Sequence, residues 1–139
     1  YLAATGNSES GYFGGGAYPA VVTMDKVTYS SDTTAAVPGA NLSVGRFALA
    51  ATGNSRHGYF GGGVVDGGGA PRLSTMDKVT YASDTTAAVP GANLSVGRRD
   101  LAASSNSANG LPYPNIIPET FDNRFIDNLS SHDTGYFGG

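Results

Sequence analysis

Two kinds of charged residue recur at fixed positions in this sequence and are the first candidates for chemistry. Asp25 and Asp77 stand in identical TMDK contexts, and Arg46 and Arg98 end identical LSVGR contexts. A carboxylate and a guanidinium can form a charge-assisted hydrogen-bonded pair, and a carboxylate can also accept hydrogen bonds from backbone amides in turns. Because each charge appears once in each repeated segment, we interpret all four residues as structural positions that fix the geometry of the repeat.

The remaining reactive side chains form no recognisable catalytic or metal-binding set. The two histidines, His57 and His132, lie in unrelated contexts, and the sequence has no cysteine. Asp122, Asp127 and Asp133 lie close to His132 in sequence, but their spacing is not that of a calcium-binding loop. No G-x-S-x-G motif is present, and the glycine runs lack the lysine of a phosphate-binding loop. We therefore expect no enzymatic activity, no metal and no cofactor.

A binding surface has better candidates than an active site. Three tyrosines recur in the same Tyr-Phe-Gly-Gly motif: Tyr12, Tyr59 and Tyr136. Alternation along a strand sends one member of each aromatic pair to the core, while the other can reach the surface, where tyrosine contacts sugars and proteins well. Asp66 and Arg72 are the polar candidates in the glycine-rich loop 64–74. Loops on a rigid scaffold are where binding residues tend to lie.

An internal repeat organises the whole chain of 139 residues. The segment Thr23–Arg46 returns at Thr75–Arg98 with one change, from Ser30 to Ala82. The motif GYFGGG precedes the segment in both copies, and GYFGG also ends the sequence. The repeats divide the chain into residues 1–45, residues 46–97 and a partial third repeat, 98–139, that carries an insertion at 108–134.

Each full repeat predicts four short strands separated by turn-forming residues. The clearest strand alternates two faces along MDKVTY, which is the period of a strand that is buried on one or both sides. In the second copy the predicted strands are Phe47–Thr52, His57–Phe60, Thr75–Tyr81 and Thr85–Val89. Four strands in about 50 residues is the spacing of one β-propeller blade, so the sequence predicts an all-β fold.

The order of these features resembles the Kelch-type β-propeller repeat. The resemblance rests on Arg46, the small and apolar strand after it, the Tyr59–Gly62 motif and the alternating strand that ends in tyrosine. It implies about two and a half four-stranded blades that pack face to face. The sequence departs from the Kelch pattern in having no tryptophan, which Kelch blades carry late in the repeat.

The amino-acid sequences of the repeats also resemble those of predicted virion and tail-fibre proteins of marine cyanophages. This resemblance implies a non-enzymatic structural or attachment segment that belongs to a virion or lies outside the cell, and that acts through its loops. The alternative is a carbohydrate-binding, lectin-like propeller whose sites repeat once per blade. Expected partners are therefore other virion proteins or surface glycans.

The insertion contains a predicted amphipathic helix at Glu119–Ser130 that follows a proline. Phe121, Phe125 and Leu129 form one stripe with helical spacing, and Ile126 lies beside it. The helix either covers an end or edge of the sheets or serves as a docking element for a partner protein.

Charge and length limit the remaining possibilities. The net charge of −3 is spread without basic runs, so we expect no nucleic-acid partner. No apolar segment approaches the roughly 20 residues that a membrane-spanning helix needs. A blade buries its faces only against neighbouring blades. We therefore expect that the chain is part of a longer polypeptide or that copies of it assemble with one another. A self-contained monomer of another kind, such as a stack of hairpins, is the remaining alternative.

Overall fold

A computed structural model describes residues 1–17, 19–66 and 70–105 of the chain. Within these residues the structure contains two antiparallel sheets of four strands each, and every strand pairs with the next strand along the chain. Sheet 1 consists of β1 (Ala3–Gly6), β2 (Ser10–Gly14), β3 (Met24–Thr28) and β4 (Thr33–Ala36). Sheet 2 consists of β5 (Ala50–Gly53), β6 (His57–Gly61), β7 (Met76–Thr80) and β8 (Thr85–Ala88).

The turns between the strands are built by the same residues in both sheets. Between β1 and β2, the Asn7 side-chain oxygen accepts hydrogen bonds from the backbone N–H groups of Glu9 and Ser10, both at 2.9 Å. Asn54 does the same between β5 and β6. An asparagine that holds the amides two and three residues ahead stabilises a tight turn, which explains why GNS follows each first strand.

A short 3₁₀ helix follows each sheet and returns the chain toward its third strand. These helices are Pro38–Ala40 and Pro90–Ala92. After the first of them, the Asn41 side-chain oxygen accepts a hydrogen bond from the Met24 backbone at 3.2 Å, and Asn93 accepts the equivalent bond in sheet 2. The PGAN sequence therefore ties the segment after the last strand to its own sheet, and this fixes where the following LSVGR residues lie.

Successive side chains on a strand point to opposite faces, so each sheet has two distinct faces. We call one the forward face, defined by Tyr12, Met24 and Lys26 in sheet 1 and by Tyr59, Met76 and Lys78 in sheet 2. We call the other the rear face, defined by Phe13, Asp25, Val27 and Tyr29 in sheet 1 and by Phe60, Asp77, Val79 and Tyr81 in sheet 2.

The hydrophobic core lies where the forward face of sheet 1 packs against the rear face of sheet 2. Its fully buried apolar members include Met24, Phe60 and Val79, none of which is accessible to solvent. The first strands of the two sheets, β1 and β5, are also neighbours, and the Ala48 N–H just before β5 donates to the Tyr1 carbonyl at 3.1 Å. The two sheets are therefore stacked in the same orientation, one behind the other.

The structure confirms the prediction of an all-β fold in the part of the chain it describes. All four strands predicted in the second repeat are present: β7 and β8 are shorter than predicted, β5 begins three residues later and ends one residue later, and β6 is one residue longer. Both sheets are open, and neither closes on itself. Sheet 1 lies within residues 1–45 and sheet 2 within residues 46–97. The predicted helix at Glu119–Ser130, with Phe121, Phe125, Ile126 and Leu129, lies outside the described residues, as does Tyr136.

Candidate functional site

A buried ion pair joins the two repeats across the interface between the sheets. The Arg46 guanidinium, at the end of the first copy of the Thr23–Arg46 segment, donates from Nη2 to Asp77 Oδ2 in the second copy, on β7, at 2.9 Å, and both side chains are 0% exposed. The same nitrogen donates to the Phe60 carbonyl at 3.0 Å. Asp77 Oδ2 also accepts a hydrogen bond from the Ser43 backbone at 3.0 Å. The carboxylate of the second repeat thus holds the C-terminal segment of the first.

Removing both charges from water carries a large cost that this geometry repays only in part. Arg46 Nε and Nη1 and Asp77 Oδ1 have no hydrogen-bond partner among the described residues. Burial lowers the pKa of Arg46, and the adjacent Asp77 carboxylate opposes that shift. A buried ion pair contributes little net stability compared with apolar residues, but breaking it leaves one uncompensated charge. Any arrangement of the sheets that separates Arg46 from Asp77 is therefore penalised.

A second polar cluster lies on the same interface and is formed by side chains from β2 and β3 of sheet 1 and from the end of β7 and the β7–β8 turn of sheet 2. The Lys26 ammonium on β3 bonds both carboxylate oxygens of Asp84, at 2.9 and 3.0 Å. The Tyr12 hydroxyl donates to Asp84 Oδ1. The Tyr12 and Tyr81 rings stack with centroids 4.9 Å apart, and the Tyr81 hydroxyl shares a 3.1 Å hydrogen bond with Thr5. Donors and rings from sheet 1 thus meet acceptors and rings from sheet 2.

Burial and hydrogen bonding shift the acidity of this cluster. Burial, reinforced by the hydrogen bond to the Asp84 carboxylate, raises the pKa of Tyr12 well above its ordinary value. Burial also raises the pKa of Tyr81. For Asp84, burial acts to raise the pKa, but hydrogen bonds from Tyr12 and Lys26 together bring it below its usual range. At neutral pH the cluster therefore holds a carboxylate between an ammonium and a neutral phenol.

An unusual backbone conformation places the Asp84 carboxylate. Asp84 lies in the turn between β7 and β8 and has φ +51°, in the left-handed region. Asp32 has the same φ in the equivalent turn of sheet 1. Aspartate tolerates this conformation better than most residues, because its short polar side chain can bond locally. The left-handed conformation in the SDTT sequence of the β7–β8 turn is thus the local reason that the Asp84 carboxylate projects toward sheet 1.

Glycines permit the close approach of the two sheets. A Cβ added at Gly58 on β6 would lie 2.5 Å from the Thr5 methyl carbon and 2.8 Å from the Tyr81 hydroxyl. A Cβ added at Gly14 would lie 3.1 Å from the Phe60 ring. The distances at Gly58 are shorter than real Cβ contacts and the distance at Gly14 is tighter than most, so a side chain at either position would require neighbouring side chains at the interface to shift.

The sequence-predicted charged and aromatic residues fall into two environments. Arg46, Asp77 and Tyr12 are fully buried between the sheets, the first two in the ion pair and Tyr12 in the second polar cluster. Their counterparts in the other repeat lie outside that interface: Asp25 and Tyr59 are half-buried, and Arg98 is exposed. The structure does not bring these three together with the buried set.

The loop candidates Asp66 and Arg72 are both exposed. The Asp66 carboxylate accepts a 2.6 Å hydrogen bond from the Ala20 backbone, which connects the loops that precede β3 and β7. Arg72 forms an isolated antiparallel bridge with Val64. The Asp66 carboxylate thus holds the two loops together, and the Arg72 backbone shapes the second one.

Sequence reasoning did not single out Lys26, Asp84, Thr5 or Tyr81 as interface residues. They carried a usable signal, because each recurs in the other repeat, as Lys78, Asp32, Thr52 and Tyr29. A strand lysine and a turn aspartate are common at exposed positions, however, so recurrence alone did not separate them from surface residues. Only the stacking of one sheet on the next brings them within hydrogen-bonding distance.

A cleft of about 440 Å³ opens beside the polar cluster, where the β1–β2 turn of sheet 1 faces the equivalent turn of sheet 2. Its walls include Glu9, Lys26, Arg56 and His57. The Asn7 side chain reaches across it to the Ser55 carbonyl at 3.4 Å. The cleft offers charged donors and acceptors at the rim between two repeats.

No protein-family model fits this sequence, and no curated protein aligns with it significantly. Among residues 1–17, 19–66 and 70–105 no helix is long and apolar enough to cross a membrane. In the same part of the chain no cluster of three or more histidine, cysteine or acidic side chains is placed to hold a metal ion.

Proposed function

We propose that this chain is a non-enzymatic structural segment whose repeats stack as Kelch-like β-propeller blades and serve as a scaffold for attachment. The observation that carries the proposal is the buried Arg46–Asp77 pair, in which a donor from the first copy of the Thr23–Arg46 segment reaches an acceptor in the second copy, Thr75–Arg98. Its two partners occupy repeated positions of the sequence. An ion pair of this kind can form between any two neighbouring repeats, so an array can be extended without any residue outside the repeat.

The arrangement of strands supports blades as the form of this array. Each sheet is a four-stranded meander, which is the composition of a propeller blade. The first strands follow one another on one side of the stack: Ala48 donates to Tyr1 at 3.1 Å, and Asp100 donates to Ala48 at 2.9 Å. First strands that line one side of successive sheets correspond to the inner strands around a propeller axis.

The use of the repeated charges supports a structural role over catalysis. The charged side chains form two ion pairs between the sheets, Arg46 with Asp77 and Lys26 with Asp84. The resemblance of the repeats to virion and tail-fibre proteins supports a location in a virion or outside the cell. In this proposal the exposed loops of the rigid stack make the contacts with partners.

Hydrogen exchange of the full chain tests the scaffold. We expect slow amide exchange in β2, β3, β6 and β7, because their packing depends on one shared interface. The Arg46→Ala variant leaves Asp77 as a buried uncompensated carboxylate and should accelerate exchange in both sheets together. Arg98→Ala, studied at high dilution, is the matched control and should leave exchange unchanged. Acceleration in only one sheet of the Arg46→Ala variant would contradict a shared interface.

The cleft favours carbohydrate binding as a second candidate function. Glu9, Arg56 and His57 place hydrogen-bonding groups around a concave site between two repeats, and such groups suit sugar hydroxyls. A glycan array probed with the full chain tests this function. Binding that is lost in a Glu9→Gln, Arg56→Ala variant would support it. An array without binding would contradict the lectin function and leave the structural role in place.

A further inference from the structure

The two outer faces of the stack carry the same residues that are buried together at its centre. On the rear face of sheet 1, Phe13 is 40% exposed and Tyr29 is 49% exposed. Their counterparts on the rear face of sheet 2, Phe60 and Tyr81, are 0% and 6% exposed because sheet 1 covers them. The rear face of sheet 1 is thus an aromatic surface that no described residue covers in the same way.

The forward face of sheet 2 is less buried than the forward face of sheet 1. Arg98 is exposed and makes no side-chain ion pair among the described residues, whereas its counterpart Arg46 is buried against Asp77. Tyr59 and Met76 are half-buried, whereas Tyr12 and Met24 on sheet 1 are completely buried. This face carries the counterparts of the guanidinium, phenol and thioether with which sheet 1 contacts a rear face.

We propose that the rear face of sheet 1 binds the forward face of sheet 2 of a second copy of this chain, head to tail. The proposal rests on the stacked-repeat scaffold and names its partner. Arg98 of one copy pairs with Asp25 of the next, as Arg46 pairs with Asp77 within the chain. Both pairs combine residues from segments that differ only at Ser30 and Ala82. The observed interface is therefore a template for the intermolecular one.

The rest of the contact set transfers in the same register. Lys78 meets Asp32, as Lys26 meets Asp84, and Asp32 already has the left-handed φ of +51° that presents the carboxylate. Tyr59 stacks on Tyr29 as Tyr12 stacks on Tyr81. The two charged donors Arg98 and Lys78 thus each meet a carboxylate on the other face. This contact joins two different faces, so an open assembly keeps one free face of each kind at its two ends and either grows into a filament or closes into a ring.

One segment must move when the second copy binds. Leu101–Ser105 lies against β5 as β5 lies against β1, and the Thr52 hydroxyl donates to the Ser104 carbonyl at 2.6 Å. The incoming β1 has the equivalent sequence and needs the same place. Within the described residues Leu101–Ser105 belongs to no strand, whereas β1 is hydrogen-bonded to β2 along its length. The incoming β1 therefore displaces Leu101–Ser105.

Charge reversal on the two outer faces tests this contact in the full chain. Sedimentation velocity and native mass spectrometry should show wild-type chains that associate as concentration rises. Arg98→Glu and Asp25→Arg should each weaken association by about tenfold or more, because each places like charges opposite one another. The double variant Arg98→Glu, Asp25→Arg restores a pair of opposite charges and should associate again. Arg99→Glu makes the same charge change next to Arg98 and should associate like wild type.

These measurements test the head-to-tail contact independently of the scaffold within one chain. Chains that stay monomeric at every accessible concentration would overturn the head-to-tail contact. Association that is insensitive to Arg98→Glu and Asp25→Arg would also overturn it, because some other surface would then be responsible. Circular dichroism of each variant checks that the fold is intact. The scaffold within one chain is judged by the Arg46→Ala exchange experiment, so either proposal can fail while the other stands.

Discussion

Sheet 1 and sheet 2 have nearly the same sequence, yet opposite members of the same aromatic pair are buried in them. In β2, Tyr12 is buried and Phe13 is exposed, whereas in β6, Phe60 is buried and Tyr59 is only half-buried. The register of each pair with its third strand is identical: Tyr12 faces Lys26 and Tyr59 faces Lys78. The backbone is the same, and only the position of the neighbouring sheet differs.

The comparison shows that burial in this molecule depends on which neighbour is present. Every repeat position on a face has two possible environments, one at the interface and one at an outer surface. A substitution at an interface position and the same substitution at its counterpart thus form a matched pair. The difference between the two measures the contact between sheets, because intrinsic strand propensity and the effect on the unfolded chain are nearly equal in both.

The largest difference is expected for the repeated aspartate. Asp77→Ala leaves the Arg46 guanidinium buried without a counter-ion and should lower the free energy of unfolding by about 3–5 kcal/mol. Asp25→Ala removes a half-buried carboxylate without an ion-pair partner in the described part of the chain and should cost about 0.5 kcal/mol or less in dilute solution. Urea unfolding followed by circular dichroism measures both. Equal losses would show that Arg46 gains nothing from Asp77.

A smaller difference is expected for the glycine that faces the tyrosine of the same sheet. In Gly58→Ala the new methyl meets both Thr5 of sheet 1 and the buried Tyr81, so overpacking should cost about 1–3 kcal/mol. In Gly11→Ala it meets mainly the Tyr29 hydroxyl, at 2.8 Å, and that exposed side chain can move away. Thermal unfolding of the two variants compares them. If Gly11→Ala were the more damaging change, the close approach of the sheets would not be the cause.

A still smaller difference is expected between the two tyrosines of the Tyr-Phe motif. Tyr12→Phe removes a donor to a partly exposed carboxylate and should cost about 1.5 kcal/mol, whereas Tyr59→Phe should cost less. The pKa of Tyr12 is raised in the folded state, so the folded protein holds that proton more tightly than the unfolded chain does. Its contribution to stability is therefore complete below about pH 10 and falls as the pH rises above that value.

Stability measured across the alkaline range checks this effect. The loss above about pH 10 should be reduced in Tyr12→Phe and unchanged in Tyr59→Phe. The ultraviolet absorbance of ionised tyrosine should show a group that titrates late in the wild type and is missing from Tyr12→Phe. An alkaline profile that is identical in wild type and Tyr12→Phe would contradict the assignment.

The smallest difference is expected at acidic pH. The pKa of Asp84 is lowered in the folded state, so its contribution to stability is complete above about pH 4, the ordinary aspartate value, and is lost as the pH falls below it. Because Asp84 and Lys26 are both partly exposed, the contribution is about 1 kcal/mol or less. Asp84→Asn should reduce the loss of stability below about pH 4, and Asp32→Asn should leave it unchanged. Urea unfolding at several acidic pH values distinguishes them.

Much of the fold could be predicted from the sequence, because its signals are local. The alternation through MDKVTY, the GNS turns and the PGAN segment each specify a strand or a turn through nearby residues. They appear in the structure as β7, the Asn54 turn and the Pro90–Ala92 helix.

The candidate site was harder to predict because it depends on contacts between repeats. Arg46 and Asp77 are 31 residues apart, and Tyr12 and Asp84 are 72 apart. Two identical aspartates offered Arg46 equally good partners, and nothing in their neighbouring residues favours Asp77 over Asp25. The choice is made by the direction in which one sheet stacks on the other. Sequence pattern alone does not encode that direction, because both faces of each strand are suited to burial.

The Arg46–Asp77 joint also has a consequence for how a gene that encodes such repeats can change. Donor and acceptor each belong to the repeated unit, so duplication of one unit of DNA adds a protein module that already fits its neighbours. Recombination between near-identical copies can then lengthen or shorten the array in whole modules without compensating mutations. Because the ion pair can form between any two neighbouring modules, the number of copies can change while the fold of each module stays intact.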